Sequence, residues 1–186
     1  RKDAGDDPDI THGMLVEAYC RLLDEPGVVI EGGEGVGRVT QKGLSIAPGE
    51  AAINPVPRQM ISEAVTALLP SGRGACVEIR LPSGKELARK TFNPRLGIVD
   101  GLSILGNSGI VEPMSEEAIK QSMSLEVKVA VQAGHQRLIL SPGNYGLTMA
   151  KKLGITDWGI IKIGNHLGFM LDECSSHGVK DVLMIG

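Results

Sequence analysis

A chain of 186 residues, 42% of them hydrophobic, accommodates one large domain or two small ones with ample material for a core. Aromatic residues make up only 3%, so that core is aliphatic, and a net charge of −3 argues against a general nucleic-acid binder. No apolar run approaches the ~18–20 residues of a membrane span, and neither the three distant cysteines (Cys20, Cys76, Cys174) nor the four histidines show a disulfide or metal-ligand spacing.

Residues 1–13 are polar and acidic. Asp6 and Asp7, with His12 nearby, could move a proton or bind a ligand, and could equally form a solvated loop. From Val16 to Leu22 the apolar residues alternate with Glu17, Tyr19 and Arg21, a strand with one wet face. A turn over 24–27 leads to a second strand over Val28–Ile30. Four glycines follow within Gly32–Gly37, where a ligand or another strand could approach the backbone. This is neither a Walker A loop nor a clean dinucleotide fingerprint. After a loop to Asn54, Pro55 and Pro57 precede an amphipathic helix with Met60, Ile61, Ala64, Val65, Leu68 and Leu69 on one stripe. Cys76 to Leu81 reads as a strand, Pro82 to Gly84 as a turn, and Glu86 to Lys90 as the returning strand. A loop over Thr91–Gly97 carries Arg95. The spacing predicts an α+β region with mainly antiparallel pairing.

The texture changes after Gly101. Leu102 to Leu105 reads as a short strand and Gly106 to Gly109 as a turn, with Ser115 capping a helix that runs to Ala133. Ile119, Met123, Val127 and Val131 mark its core face, and Glu116 pairs with Lys120. Strands are predicted at 137–140, 158–163 and 181–185, with helices between them, which gives a parallel sheet. In such sheets ligands bind beyond the carboxyl ends of the strands. Three loops leave strand ends there: Gly106–Gly109, Pro142–Gly146 and Gly164–Gly168. Gly106, Gly109, Gly143, Asn144, Gly146, Gly164 and Asn165 are therefore candidate cofactor contacts, set against ordinary βα connections.

Long runs resemble the cobalt-precorrin-5B C1-methyltransferase family (CbiD). They are Asp3–Gly13, Gly32–Thr40, Ala52–Arg58, Thr91–Val99, Gly109–Glu117 and Pro142–Gly146, in matching order across nearly the whole chain. Asn107 and Ser108 stand where that family carries Thr-Thr, its opening segment precedes Arg1 and its chain continues beyond Gly186, so truncation at both ends is expected. The resemblance implies methyl transfer from S-adenosylmethionine to C1 of a cobalt tetrapyrrole in anaerobic cobalamin biosynthesis, in the cytoplasm. Cobalt would arrive with the substrate. The methyl donor is already activated, so alignment matters more than a nucleophilic side chain.

The expected architecture is an α+β part over 1–100 that binds the tetrapyrrole, then a Rossmann-like three-layer α/β part over 101–186 that binds S-adenosylmethionine. Glu34, Arg38, Asn54, Arg58 and Arg95 are candidates to hold the macrocycle's carboxylates, and Asp6, Asp7 and His12 are placed near C1. A homo-oligomer is possible. The competing readings are a non-catalytic tetrapyrrole-binding protein and another nucleotide-cofactor enzyme using the same glycine loops.

Overall fold

The computed structural model describes residues 1–5, 9–105, 116–155 and 158–186. Asp6, Asp7, Gly106 and Gly109 lie outside the described residues. The chain divides into two compact units, Arg1–Thr40 with Ser45–Pro113, and Gln41–Leu44 with Met114–Gly186.

The first unit is built on a three-stranded sheet of β1 (Glu17–Leu23), β2 (Gly27–Gly32) and β4 (Gly74–Arg80) in the order β1-β4-β2. β4 is antiparallel to β1 but parallel to β2, so the sheet is mixed and not mainly antiparallel as expected. The reason lies in β4 itself. Ala75, Cys76, Val77 and Ile79 are all buried, so this strand has little polar surface for an edge and takes the centre. With both sides of β4 occupied, a returning strand cannot pair with β4. Glu86–Lys90, expected to be that strand, is not one: helix α2 (Gly84–Ala88) covers its first half. Lys85, Glu86, Leu87 and Ala88 favour a helix, and Leu87 and Ala88 pack on the core.

Helix α1 (Pro55–Thr66) begins on Asn54 with a proline in its first turn. Its expected stripe splits. Ile61 and Val65, one turn apart, pack on the core of Ile53, Val77, Ile79 and Leu81. Met60 and Leu68 are instead 48% and 87% exposed. A 3-10 turn (Asn93–Leu96) occupies the expected Thr91–Gly97 loop. Its buried Asn93 donates to the Gly101 carbonyl and accepts from the Ser103 hydroxyl. Two short strands, β3 (Arg38–Val39) and β5 (Ile98–Val99), pair antiparallel beside it.

The glycine run packs against the chain itself. A Cβ at Gly35, which has φ of 74°, would overlap the Leu81 carbonyl. Gly84 and Gly101 both lie against the Gly35 carbonyl, and a Cβ on Gly37 would come 2.7 Å from the Gly101 oxygen. Backbone bonds from Leu81 to Glu34, from Leu102 to Gly35 and from Gly37 to Leu102 tie the segments together. The space beside Gly35 and Gly37 is thus filled by the chain's own residues at Leu81, Gly84, Ile98 and Gly101.

The second unit holds a parallel sheet of β6 (Arg137–Ser141), β7 (Gly159–Lys162) and β8 (Asp181–Met184) in the order β7-β6-β8. The parallel pairing of the first two strands agrees with the sequence reading. Helices α3 (Glu116–Gln132), α4 (Asn144–Lys152) and α5 (Leu167–Ser176) connect and cover it. Leu138, Leu140, Ile161 and Ile163 face Val127 of α3 and Met170 and Cys174 of α5 in one core. Ser141 is on the opposite face, where Gly146 of α4 lies against its hydroxyl. Ile119, expected in the core, is 43% exposed, whereas Met123, Val127 and Val131 of the same stripe pack into this core. The Glu116–Lys120 pair is present at 2.8 Å. Among the described residues no helix is long and apolar enough to cross a membrane. No group of three His, Cys, Asp or Glu could hold a metal there. Cys76 and Cys174 are buried free thiols, whereas Cys20 is exposed on β1.

Candidate functional site

In the second unit the order β7-β6-β8 dictates how the loops leave the sheet. The connection from β6 to β7 runs one way along the sheet, and the connection from β7 to β8 runs back past β6. Right-handed crossovers then put α4 and α5 on opposite faces, as the contacts of Gly146 and Met170 show. The loops after β6 and β7 therefore leave the sheet towards opposite faces, the topology at whose carboxyl ends ligands bind in open α/β sheets. These are the Pro142–Gly146 and Gly164–Gly168 loops of the sequence reading. They are linked by Lys162, whose ammonium donates to Asn144 Oδ1 at 3.1 Å. Lys162 is not among the expected contacts of this corner. Its signal was a charge at the end of an otherwise aliphatic strand.

The glycines of this corner differ. Gly143 has open space where a side chain would project and an extended φ of −157°. It precedes α4 without a side-chain cap, so the first N–H groups of the helix are bare. Gly164 has a left-handed φ of 52° that turns the chain out of β7. Gly146 is filled by Ser141 and the Ile185 carbonyl, and lets the helix approach the sheet. Asn165 is exposed, and His166 at the start of α5 places Nδ1 3.9 Å from Glu116 Oε1. The Lys120 ammonium, bonded to Glu116, holds that carboxyl below its usual range, with a smaller contribution from His166.

The first unit contains a cavity of about 460 Å³ whose walls include Glu31, Gly32, Arg38, Glu50 and Arg58. Arg38 and Arg58 are thus brought together beside the glycine run. Arg58 is committed to the backbone: Nε donates to Ile53 O at 2.9 Å, Nη1 to Ile30 O at 3.1 Å and Nη2 to Ala51 O at 3.2 Å. Arg38 is exposed and donates once, from Nη1 to Gly49 O at 3.1 Å. Glu31 and Glu50 line the same cavity, and neither is among the expected site residues. Glu34, Asn54 and Arg95 lie elsewhere. Glu34 is exposed and accepts from Leu81 N–H, Asn54 starts α1, and Arg95 stacks on Phe92 at 5.6 Å.

His12 is exposed, and its Nδ1 accepts the Ala4 N–H at 3.2 Å. Beside it Asp9 bonds Lys2 and the Thr11 hydroxyl. Burial pushes the Asp9 carboxyl up, but the bonds from Lys2 and Thr11 outweigh it and hold the pKa at about 2.

The family profile described as CbiD matches residues 1–113. A cobalt-precorrin-5B C(1)-methyltransferase of Thermoanaerobacter sp. (strain X514) is 50% identical over 186 residues, which is all of this chain and 51% of the relative. Proteins of the same name from Moorella thermoacetica and Methanococcus aeolicus are 50% and 46% identical over all of this chain and 51% and 50% of their own lengths. The chain thus spans about half the length of the curated relatives it matches. A crystal structure of a cobalamin biosynthesis protein (cbiD) from Archaeoglobus fulgidus is 24% identical, with a TM-score of 0.40, over 95% of this chain and 55% of that one.

Proposed function

The chain belongs to the CbiD family, and on that premise we propose that it takes part in methyl transfer from S-adenosylmethionine to C1 of cobalt-precorrin-5B, giving cobalt-precorrin-6A in anaerobic cobalamin synthesis. The observation that carries this reading is a likeness to enzymes of that name running the full length of the chain. The finer reading is that the second unit is a Rossmann-like three-layer domain that binds the methyl donor, and that the first unit holds the tetrapyrrole.

The corner between β6 and β7 fits the donor. Gly143 leaves room beside the backbone, and the uncapped N–H groups of α4 suit a carboxylate such as that of a methionine moiety. Asn165 offers an exposed amide, and Lys162 fixes Asn144 so that the amide N–H2 is left to donate. S-adenosylmethionine supplies a methyl group already activated on sulfur, so that a carbon–carbon bond forms at C1 as the sulfur–methyl bond breaks and the sulfur keeps the electron pair. The chain's part is then alignment and exclusion of water. In the first unit Arg38 is the cation best placed to meet a carboxylate of the macrocycle. Arg58 acts beneath it by holding the cavity wall in shape. Cobalt belongs to the substrate.

The test is an assay of the full chain with cobalt-precorrin-5B and methyl-labelled S-adenosylmethionine, alongside calorimetric titration of each ligand. Label in the tetrapyrrole with one S-adenosylhomocysteine formed per transfer is the expected result. Absence of binding by either ligand rejects the reading.

A further inference from the structure

We propose that strand β1 is a self-complementary edge that pairs with β1 of a second copy of this chain. The sheet order β1-β4-β2 leaves two outer strands, and they are treated differently. On β2 the Ile30 carbonyl is taken by Arg58. On β1, among the described residues, backbone bonds beyond the ladder to β4 reach only the Leu23 carbonyl, which Arg73 caps at the strand's end. All five residues from Ala18 to Leu22 are exposed, with Tyr19 at 50% and Leu22 at 51%. Seven consecutive residues pair with β4 without a bulge, so the outer edge is regular and open.

The sequence of this edge selects the partner. An antiparallel pair of β1 strands centred on Cys20 places Cys20 opposite Cys20, Ala18 opposite Leu22 and Tyr19 opposite Arg21. Glu17, Tyr19 and Arg21 share the face opposite the core, since they pair with Arg80, Glu78 and Cys76 while Ala18 and Cys20 pair with core residues Ile79 and Val77. On that face Glu17 of one copy lies diagonal to Arg21 of the other, twice by symmetry, within reach of long side chains. On the core-side face Ala18, Cys20 and Leu22 meet their counterparts and prolong an apolar surface that α1 leaves uncovered at β1. A two-fold axis through Cys20 satisfies both faces at once, as an isologous interface requires. The result is a six-stranded sheet in the order β2-β4-β1-β1-β4-β2.

The experiment is sedimentation equilibrium on the full chain and on three variants. The unaltered chain is expected to dimerise. Arg21→Glu sets Glu17 against a second carboxylate and should weaken the dimer at least tenfold. The charge exchange Glu17→Arg with Arg21→Glu should restore it, which a merely damaged fold would not allow. Mild oxidation should yield a disulfide-linked dimer that Cys20→Ser abolishes, since Cys76 and Cys174 are buried. A monomer at all concentrations, a dimer indifferent to Arg21→Glu, or a failure of the exchange to restore pairing overturns the proposal. So does protection of the β1 amides in a monomer.

Discussion

At the scale of single residues, chemistry read as ligand-binding turns out to be partly internal. Arg58 forks onto three carbonyl oxygens, and each bond to a charged group is worth about 1.5–3 kcal/mol when the acceptor would otherwise go unpaired. Arg58→Ala should lower stability by at least ~2 kcal/mol in urea denaturation, and Arg58→Lys should not rescue it, because an ammonium lacks the fork. Equal midpoints for Arg58→Ala and the unaltered protein refute this role. Gly35 combines a left-handed backbone with a carbonyl where a side chain would start. Gly35→Ala should cost about 2–6 kcal/mol through strain and overpacking, whereas Gly143→Ala, with open space around it, should be close to neutral. Asp9 adds a pH dependence. Its pKa of about 2 lies below the ordinary 3.8, so its contribution is complete above pH 3.8 and is lost as pH falls towards 2. The stability difference between the unaltered protein and Asp9→Asn should therefore shrink across that window, and a constant difference contradicts the assignment.

At the scale of elements, packing chooses among faces that the sequence offers equally. Met170 of α5 is fully buried against Leu138 and Leu140, while Leu68 is 87% exposed beyond the end of α1. Met170→Ala should cost ~2–5 kcal/mol and Leu68→Ala within ~0.5 kcal/mol, measured as shifts in the denaturation midpoint. Similar losses at both positions are incompatible with the cores described. Helix α2 makes the same point: its residues favour a helix, and the sheet has no vacant side for a further strand next to β4.

At the scale of the whole molecule, each unit has its own core and its own candidate site. Arg38→Ala removes the exposed guanidinium of the first unit's cavity and should weaken tetrapyrrole binding about tenfold, the equivalent of ~1.4 kcal/mol. Affinity for S-adenosylmethionine should be unchanged. Gly143→Val fills the space beside α4 and should do the reverse, with an unaltered circular dichroism spectrum. Gly164 is a poorer probe, since its left-handed backbone makes any side chain there a strain. Parallel loss of both ligands in either variant would mean that the sites are not divided between the units.

The sequence by itself determined the regular part of this protein. Strands buried on both faces are short aliphatic runs, helices carry apolar residues every three or four positions, and their alternation forces a parallel sheet. All three signals are local, and hence legible around Leu138–Leu140, Val127 and Met170. The loops at the ends of β6 and β7 followed from the same alternation. Only the tertiary structure decided that β4 lies between β1 and β2, that Gly35 faces Leu81, Gly84 and Gly101, and that Arg58 binds the carbonyls of Ile30, Ala51 and Ile53. It also set Arg38 and Arg58 on one cavity and Arg95 apart from it. The physical reason is that pairing choice, the atoms that fill a glycine's empty side and the acceptors of a guanidinium are supplied by residues far away in the chain, so no local pattern can carry them.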